Sequence, residues 1–118
     1  MKNENYFCHL IIPSKNLQRS KTFFEKVFGW IVQALPGESY WDVLPPSKKG
    51  ISAELNSEAE TIVPSINTED IDAKLKLIEA CGGIILEGKT PAGENGEYGY
   101  YALFEDPEGN KMCFYSEK

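Results

Sequence analysis

Apolar positions in this chain follow two rhythms, one in every two residues and one in every three or four, and the rhythms succeed each other twice. Tyr6 to Ile12 is a short apolar run stopped by Pro13, which predicts a strand. Asn16 carries a side-chain oxygen able to cap a helix beginning at Leu17. Leu17, Phe24, Val27 and Phe28 recur at helical spacing, with Arg19, Lys21, Glu25 and Lys26 on other faces. Gly29 then stands where a helix ends in a left-handed residue. Trp30 to Leu35, Tyr40 to Leu44 and Gly50 to Leu55 read as three further strands, separated by the turn signals Pro36-Gly37 and Pro45-Pro46.

The same order returns in the second half. Ile62 to Ile66 predicts a strand, and Thr68 a helix cap followed by an acidic first turn of Glu69, Asp70 and Asp72, which suits the helix dipole. Ile71, Leu75 and Ile78 make the buried stripe, and Gly82-Gly83 ends the helix. Ile84 to Glu87 is a strand, Gly88 to Glu97 a polar loop, and Tyr98 to Glu105 a long strand. Asp106-Pro107-Glu108-Gly109 carries a type I turn, and Asn110 to Tyr115 closes the series. The chain is thus one domain over 1–118, of the α+β class, made of two tandem βαβββ units at about 5–56 and 61–116. The internal register supports a duplication: His9 lies seven residues before Asn16, and Thr61 seven before Thr68.

Charge narrows the partners. Twelve Lys and Arg against eighteen Asp and Glu leave a net charge of −6, which repels nucleic acid and anionic membrane and favours neutral or cationic small molecules. No apolar run approaches the roughly 20 residues of a membrane span. The N-terminal Met1 to Asn5 lacks the apolar stretch of a secretory signal. Cys8, Cys81 and Cys113, odd in number and without C-x-x-C spacing, read as reduced thiols in a cytoplasmic protein.

Two segments, HLIIPSKNLQRSKTFFEKVFGW at 9–30 and YALFEDPEGNKMCFY at 101–115, resemble the vicinal oxygen chelate superfamily of glyoxalase I, extradiol dioxygenases and bleomycin-binding proteins. Within it, the FGW that follows the first helix and the GG that ends the other one most closely resemble uncharacterised relatives of lactoylglutathione lyase. The resemblance implies a cupped, partly open mixed sheet with helices outside, and a homodimer. It also implies four metal-ligand positions on cup-facing strands, which this chain fills with His9, Glu54, Thr61 and Cys113. Thr61 and Cys113 depart from the family's ligand types.

The residues themselves argue the same way. Strand alternation sets Ser52 and Glu54 opposite Ile51, Ala53 and Leu55, and Cys113 opposite Met112 and Phe114. A threonine hydroxyl is a poor ligand, and a chain with one histidine lacks the two that a non-haem iron site takes. His9 reads as a hydrogen-bonded pocket histidine, Cys113 as a small buried thiol. Glu54 fits either a solvated or a pocket carboxylate. Trp41, Tyr98 and Tyr100 supply aromatic faces for an apolar or cationic guest. The expected pocket is therefore His9, Trp41, Glu54, Tyr98, Tyr100 and Cys113, in a small-molecule binding protein with no metal cofactor. The alternative is a lactoylglutathione-lyase-like lyase or isomerase with zinc, nickel or manganese at His9, Glu54 and Cys113, the ion polarising a carbonyl.

Overall fold

A computed structural model describes residues 5–44, 47 and 49–118. The expected N-terminal segment before Asn5 and the Pro45-Pro46 turn lie outside the described residues. The described residues form two compact units, one within 8–63 and one of 64–118 with 5–7. The two βαβββ halves follow this division to within two residues: the first contains β1 (Tyr6–Pro13), α1 (Leu17–Phe28), β2 (Ile31–Gln33), β3 (Tyr40–Leu44) and β4 (Ser52–Asn56). The second contains β5 (Val63–Asn67), α2 (Ile71–Ala80), β6 (Ile84–Pro91), β7 (Tyr100–Glu105) and β8 (Lys111–Ser116), with a short 3-10 turn at Glu94–Gly96. Both are βαβββ, the mixed α+β fold that the alternating rhythms predict.

The first unit orders its strands β2-β3-β4-β1. β1 runs parallel to β4, while β4–β3 and β3–β2 are antiparallel. Alternation sends Val32, Val43, Ala53 and Leu55 to the helix side, where Leu17, Phe24 and Trp30 cover them. Leu55 is completely buried. The helical stripe is narrower than its spacing predicts, because Val27 and Phe28 are each more than half exposed. Phe28 instead stacks at 5.1 Å on Trp30. Glu25 anchors the helix to the edge strand, accepting from Lys21 Nζ at 2.8 Å and from Val32 N at 3.2 Å. Those bonds, the Lys21 one first, hold its carboxyl below the usual range.

The second unit repeats the scheme as β5-β8-β7-β6, with β5 parallel to β8. Ile71 and Leu75 of α2 pack on Ala102, Phe104 and Phe114. Here β6 runs on through Gly88 to Pro91, where a loop is expected. Bulges between Ile85 and Thr90 absorb the polar residues, and Thr90 and Pro91 pair again with Tyr101 and Tyr100. The remaining connection folds tightly at Gly99. Its φ is +90°, and a Cβ there would sit 2.6 Å from the Ser116 carbonyl. Among the described residues no helix is long and apolar enough to cross a membrane.

The helix starts correct the duplication. Asn16 caps α1 as expected, its Oδ1 accepting from Arg19 N at 3.0 Å. In α2 the cap is Asp70, accepting from Ala73 N at 3.0 Å, and not Thr68. Thr68 still belongs to the strand ladder, donating its N–H to the Tyr115 carbonyl at 2.9 Å, as Ser14 does to Asn56 at 3.0 Å. The cap therefore lies two positions beyond the last ladder bond in both units, and the counterpart of His9 is Val63, not Thr61.

Replacing Asp70 by Ala is expected to lower stability by about 1 kcal/mol in urea titration, the usual effect of removing a cap oxygen. Leu55→Ala, emptying a fully buried site, is expected to cost about 3 kcal/mol by the same measurement.

Candidate functional site

The face of the first unit's sheet turned away from α1 mixes apolar residues such as Ile11 with a group of polar side chains that are wired together. β1 and β4 are parallel and in register, so His9 stands beside Ser52 and Ile11 beside Glu54. His9 Nδ1 lies 2.7 Å from Ser52 Oγ, and Nε2 lies 3.0 Å from Glu54 Oε1. Asn56 Nδ2 donates to Glu54 Oε2 at 2.9 Å. The orientation of that amide is set by the backbone, since Asn56 Oδ1 accepts from the N–H groups of Glu58 and Ala59 at 2.8 and 3.1 Å. Both ring nitrogens of His9 and both oxygens of Glu54 are thus engaged, with the two side chains still 25% and 18% exposed.

Asp42 enters from β3, directly opposite Glu54 in the antiparallel register. Two carboxylates facing each other across a strand pair repel. Burial first, and then the charge of Glu54, push the Asp42 carboxyl above its ordinary range, partly offset by His9. The face therefore presents an imidazole ring between a serine hydroxyl and a carboxylate, with a second, reluctant carboxylate opposite the first. A positively charged or hydrogen-bond-donating ligand would relieve the opposition between the two acids.

Each of the other expected pocket residues has its own surroundings within its unit. Trp41 alternates with Asp42 and packs against the helix-side core of the first unit. Tyr100 likewise packs against the core of the second unit, where Lys89 Nζ lies 4.7 Å over its ring. Tyr98 precedes β7 rather than opening it, and is 66% exposed. Cys113 is buried in the second unit, its Sγ donating to the Phe114 carbonyl at 3.2 Å. None of the three cysteines is disulfide bonded. Conversely, Asp42 and Asn56 join His9 and Glu54 without having been singled out. The signal was available: Tyr40-x-Asp42 and Ser52-x-Glu54-x-Asn56 both put a polar residue at every second position.

Matching ladder positions in the two units shows how the duplicate diverged. The site in the first unit is His9, Asp42 and Glu54; the corresponding second-unit positions hold Val63, Leu103 and Cys113. Val63 is buried and carries no donor atom. The second unit has instead a Tyr101–Glu87 pair at 3.2 Å, with Thr90 donating to the same Glu87 oxygen at 3.0 Å. Burial, followed by the Glu87 charge and hydrogen bond, holds the Tyr101 phenol above its ordinary range. Among the described residues no three His, Cys, Asp or Glu side chains are gathered so as to hold a metal ion. The donor set thus fits a divalent metal poorly: one imidazole whose nitrogens are both bonded, one carboxylate already doubly bonded, and an apolar residue where the repeat would place a second ligand.

Against known proteins, the sequence profile of the Glyoxalase/Bleomycin resistance protein/Dioxygenase superfamily matches residues 7–114. No curated protein matches the chain. Among solved structures, a superfamily member from Vibrio splendidus 12B01 superposes with a TM-score of 0.68 at 15% identity, covering 95% of this chain and 97% of that one. A hypothetical protein from Bacillus halodurans C-125 gives 0.72 at 14% identity over 98% and 96%. A Streptomyces coelicolor methylmalonyl-CoA epimerase variant, in complex with 2-nitronate-propionyl-CoA, gives 0.65 at 14% identity over 97% and 95%. At these identities the likeness is one of fold.

The Asp42 environment makes a signed prediction. A carboxyl raised in the folded state favours the protonated form of the fold, so its contribution falls as pH rises from the ordinary carboxylate range through the raised value, and stays lost above it. Asp42→Asn is therefore expected to stabilise the protein at neutral pH by up to about 1 kcal/mol, the scale of a cross-strand charge pair. The gain should vanish in acid, as read from urea unfolding across a pH series.

Proposed function

The chain belongs to the glyoxalase/bleomycin resistance protein/dioxygenase superfamily, and from that premise we propose that it is a metal-independent small-molecule binding protein of the glyoxalase/bleomycin-resistance type. The ligand, apolar or cationic, contacts the sheet face that carries His9, Asp42 and Glu54. The observation that carries this reading is the closed hydrogen-bond chain from Ser52 through His9 and Glu54 to Asn56. A metal would have to break that chain to reach the imidazole or the carboxylate. An organic cation would not, because it takes up the excess negative charge of Asp42 and Glu54 from outside the chain. The net charge of −6 adds attraction at long range, and salt weakens it.

The family resemblance also implies a homodimer. Phe23, Val27 and Phe28, each more than half exposed along α1, supply apolar surface for contact with a second copy. We place the protein in the cytoplasm, on its reduced-thiol cysteine pattern.

Titration of chelator-free protein with phenethylammonium, and separately with zinc, tests the function. The expected result is that the organic cation shifts the His9 ring resonances in NMR spectra, with an apparent affinity that falls as salt rises. Zinc is expected to bind weakly and without stoichiometry. One tightly held zinc per chain, lost in both His9→Ala and Glu54→Ala, would overturn the reading in favour of a metal-dependent lyase or isomerase.

A further inference from the structure

The polar face also has the connectivity of a nucleophilic relay. Ser52 is exposed at the start of β4, and its Oγ lies 2.7 Å from His9 Nδ1. The competing acceptor for its proton, the Cys8 carbonyl, is farther away at 3.3 Å. On the far side of the ring, Glu54 Oε1 sits 3.0 Å from Nε2. An ionised carboxylate can only accept there, so it holds the ring proton on Nε2 and turns the lone pair of Nδ1 toward Ser52. Glu54 is itself held by Asn56, whose amide is oriented by the backbone N–H groups of Glu58 and Ala59. A hydroxyl within reach of a base, the base oriented by a third group and that group by a fourth, is the arrangement that activates serine.

We propose that Ser52 is a nucleophile, activated by His9 and Glu54, that accepts an acyl group from small carboxylic esters. The proposal rests on the reading of this face as the ligand surface and adds a reaction to it. Ser52 Oγ attacks the ester carbonyl carbon while its proton passes to His9 Nδ1, and the resulting imidazolium is stabilised by the Glu54 carboxylate. The carbon–oxygen bond to the leaving alcohol breaks, and the proton on Nδ1 returns to that alkoxide. Water then attacks the acyl-serine, giving its proton to Nδ1; the carboxylic acid leaves as the Ser52 hydroxyl is restored. No metal, oxidant or reductant is consumed. Asp42, opposite Glu54 in the register, lies on the Glu54 side of the imidazole, away from Ser52, and favours esters that carry a positive charge at a distance from the reacting carbonyl.

The test uses the full chain, freed of metal, with p-nitrophenyl acetate as the probe. The expected result is a burst of p-nitrophenolate matching the protein concentration, with one acetyl group mapped by peptide mass spectrometry to Ser52. His9→Gln is expected to slow the burst by about 10²–10⁴-fold, the range of a positioned general base. Ser52→Ala should abolish it, with unchanged circular dichroism. An undiminished burst in Ser52→Ala, or acetyl groups found on lysines alone, overturns the proposal. The wild-type response of the His9 ring to phenethylammonium is measured alongside. No burst with that response intact defeats acyl transfer and leaves the binding reading standing, whereas the absence of both burst and response defeats both.

Discussion

The two-residue period of β4 is the constraint on which the first unit depends. β4 lies between β3 and β1, so each of its side chains is committed to one of two faces with no intermediate choice. Ala53 and Leu55 go to the helix side and close the core. Ser52, Glu54 and Asn56 go to the other side and make the polar chain with His9. A slip of one residue would bury three polar groups and expose the most buried leucine of the unit, so core packing enforces the site's register.

That coupling explains how a strand face with exposed groups stays ordered. Asn56 is tied to the backbone of Glu58 and Ala59, Glu54 to Asn56 and His9 to Glu54. Each bond is modest by itself, about 1 kcal/mol, but together they leave the imidazole few orientations. The same face stores a conflict: Asp42 opposes Glu54, and its carboxyl resists ionisation. Opposed acids beside a fixed imidazole are a poor way to stabilise a sheet and a serviceable way to meet a positively charged guest.

The duplicate unit shows what happens without that commitment. It keeps the ladder, the helix cap two residues beyond it and the stacked core, with Phe104 on Phe114 at 4.7 Å. At the three positions equivalent to His9, Asp42 and Glu54 it carries Val63, Leu103 and Cys113. The two halves thus share a fold and differ in the side chains that it carries. The second half has a different polar group, Tyr101, Glu87 and Thr90, on the edge strand β6 and its neighbour β7.

The sequence by itself determined the element order, both helices, the Asp106 turn and the division of β4 and β8 into two faces, because these follow from spacing and local backbone preference. The family resemblance named His9 and Glu54, with Thr61 and Cys113, as candidates, and strand alternation did not show which of them meet. Tertiary structure alone decided which polar side chains meet. Trp41 and Tyr100 have the composition of a binding face, yet strand parity and helix packing turn them to the core. Asp42 has nothing unusual near it in sequence and acquires its character from burial first and then from Glu54, twelve residues on and directly across the ladder. Thr68 and Asp70 are both good caps, and the choice between them fell to the hydrogen bond from Thr68 to Tyr115. A cap or a period is a property of a few adjacent residues, whereas a charge pair or a relay exists only once register has brought distant residues within a few ångströms.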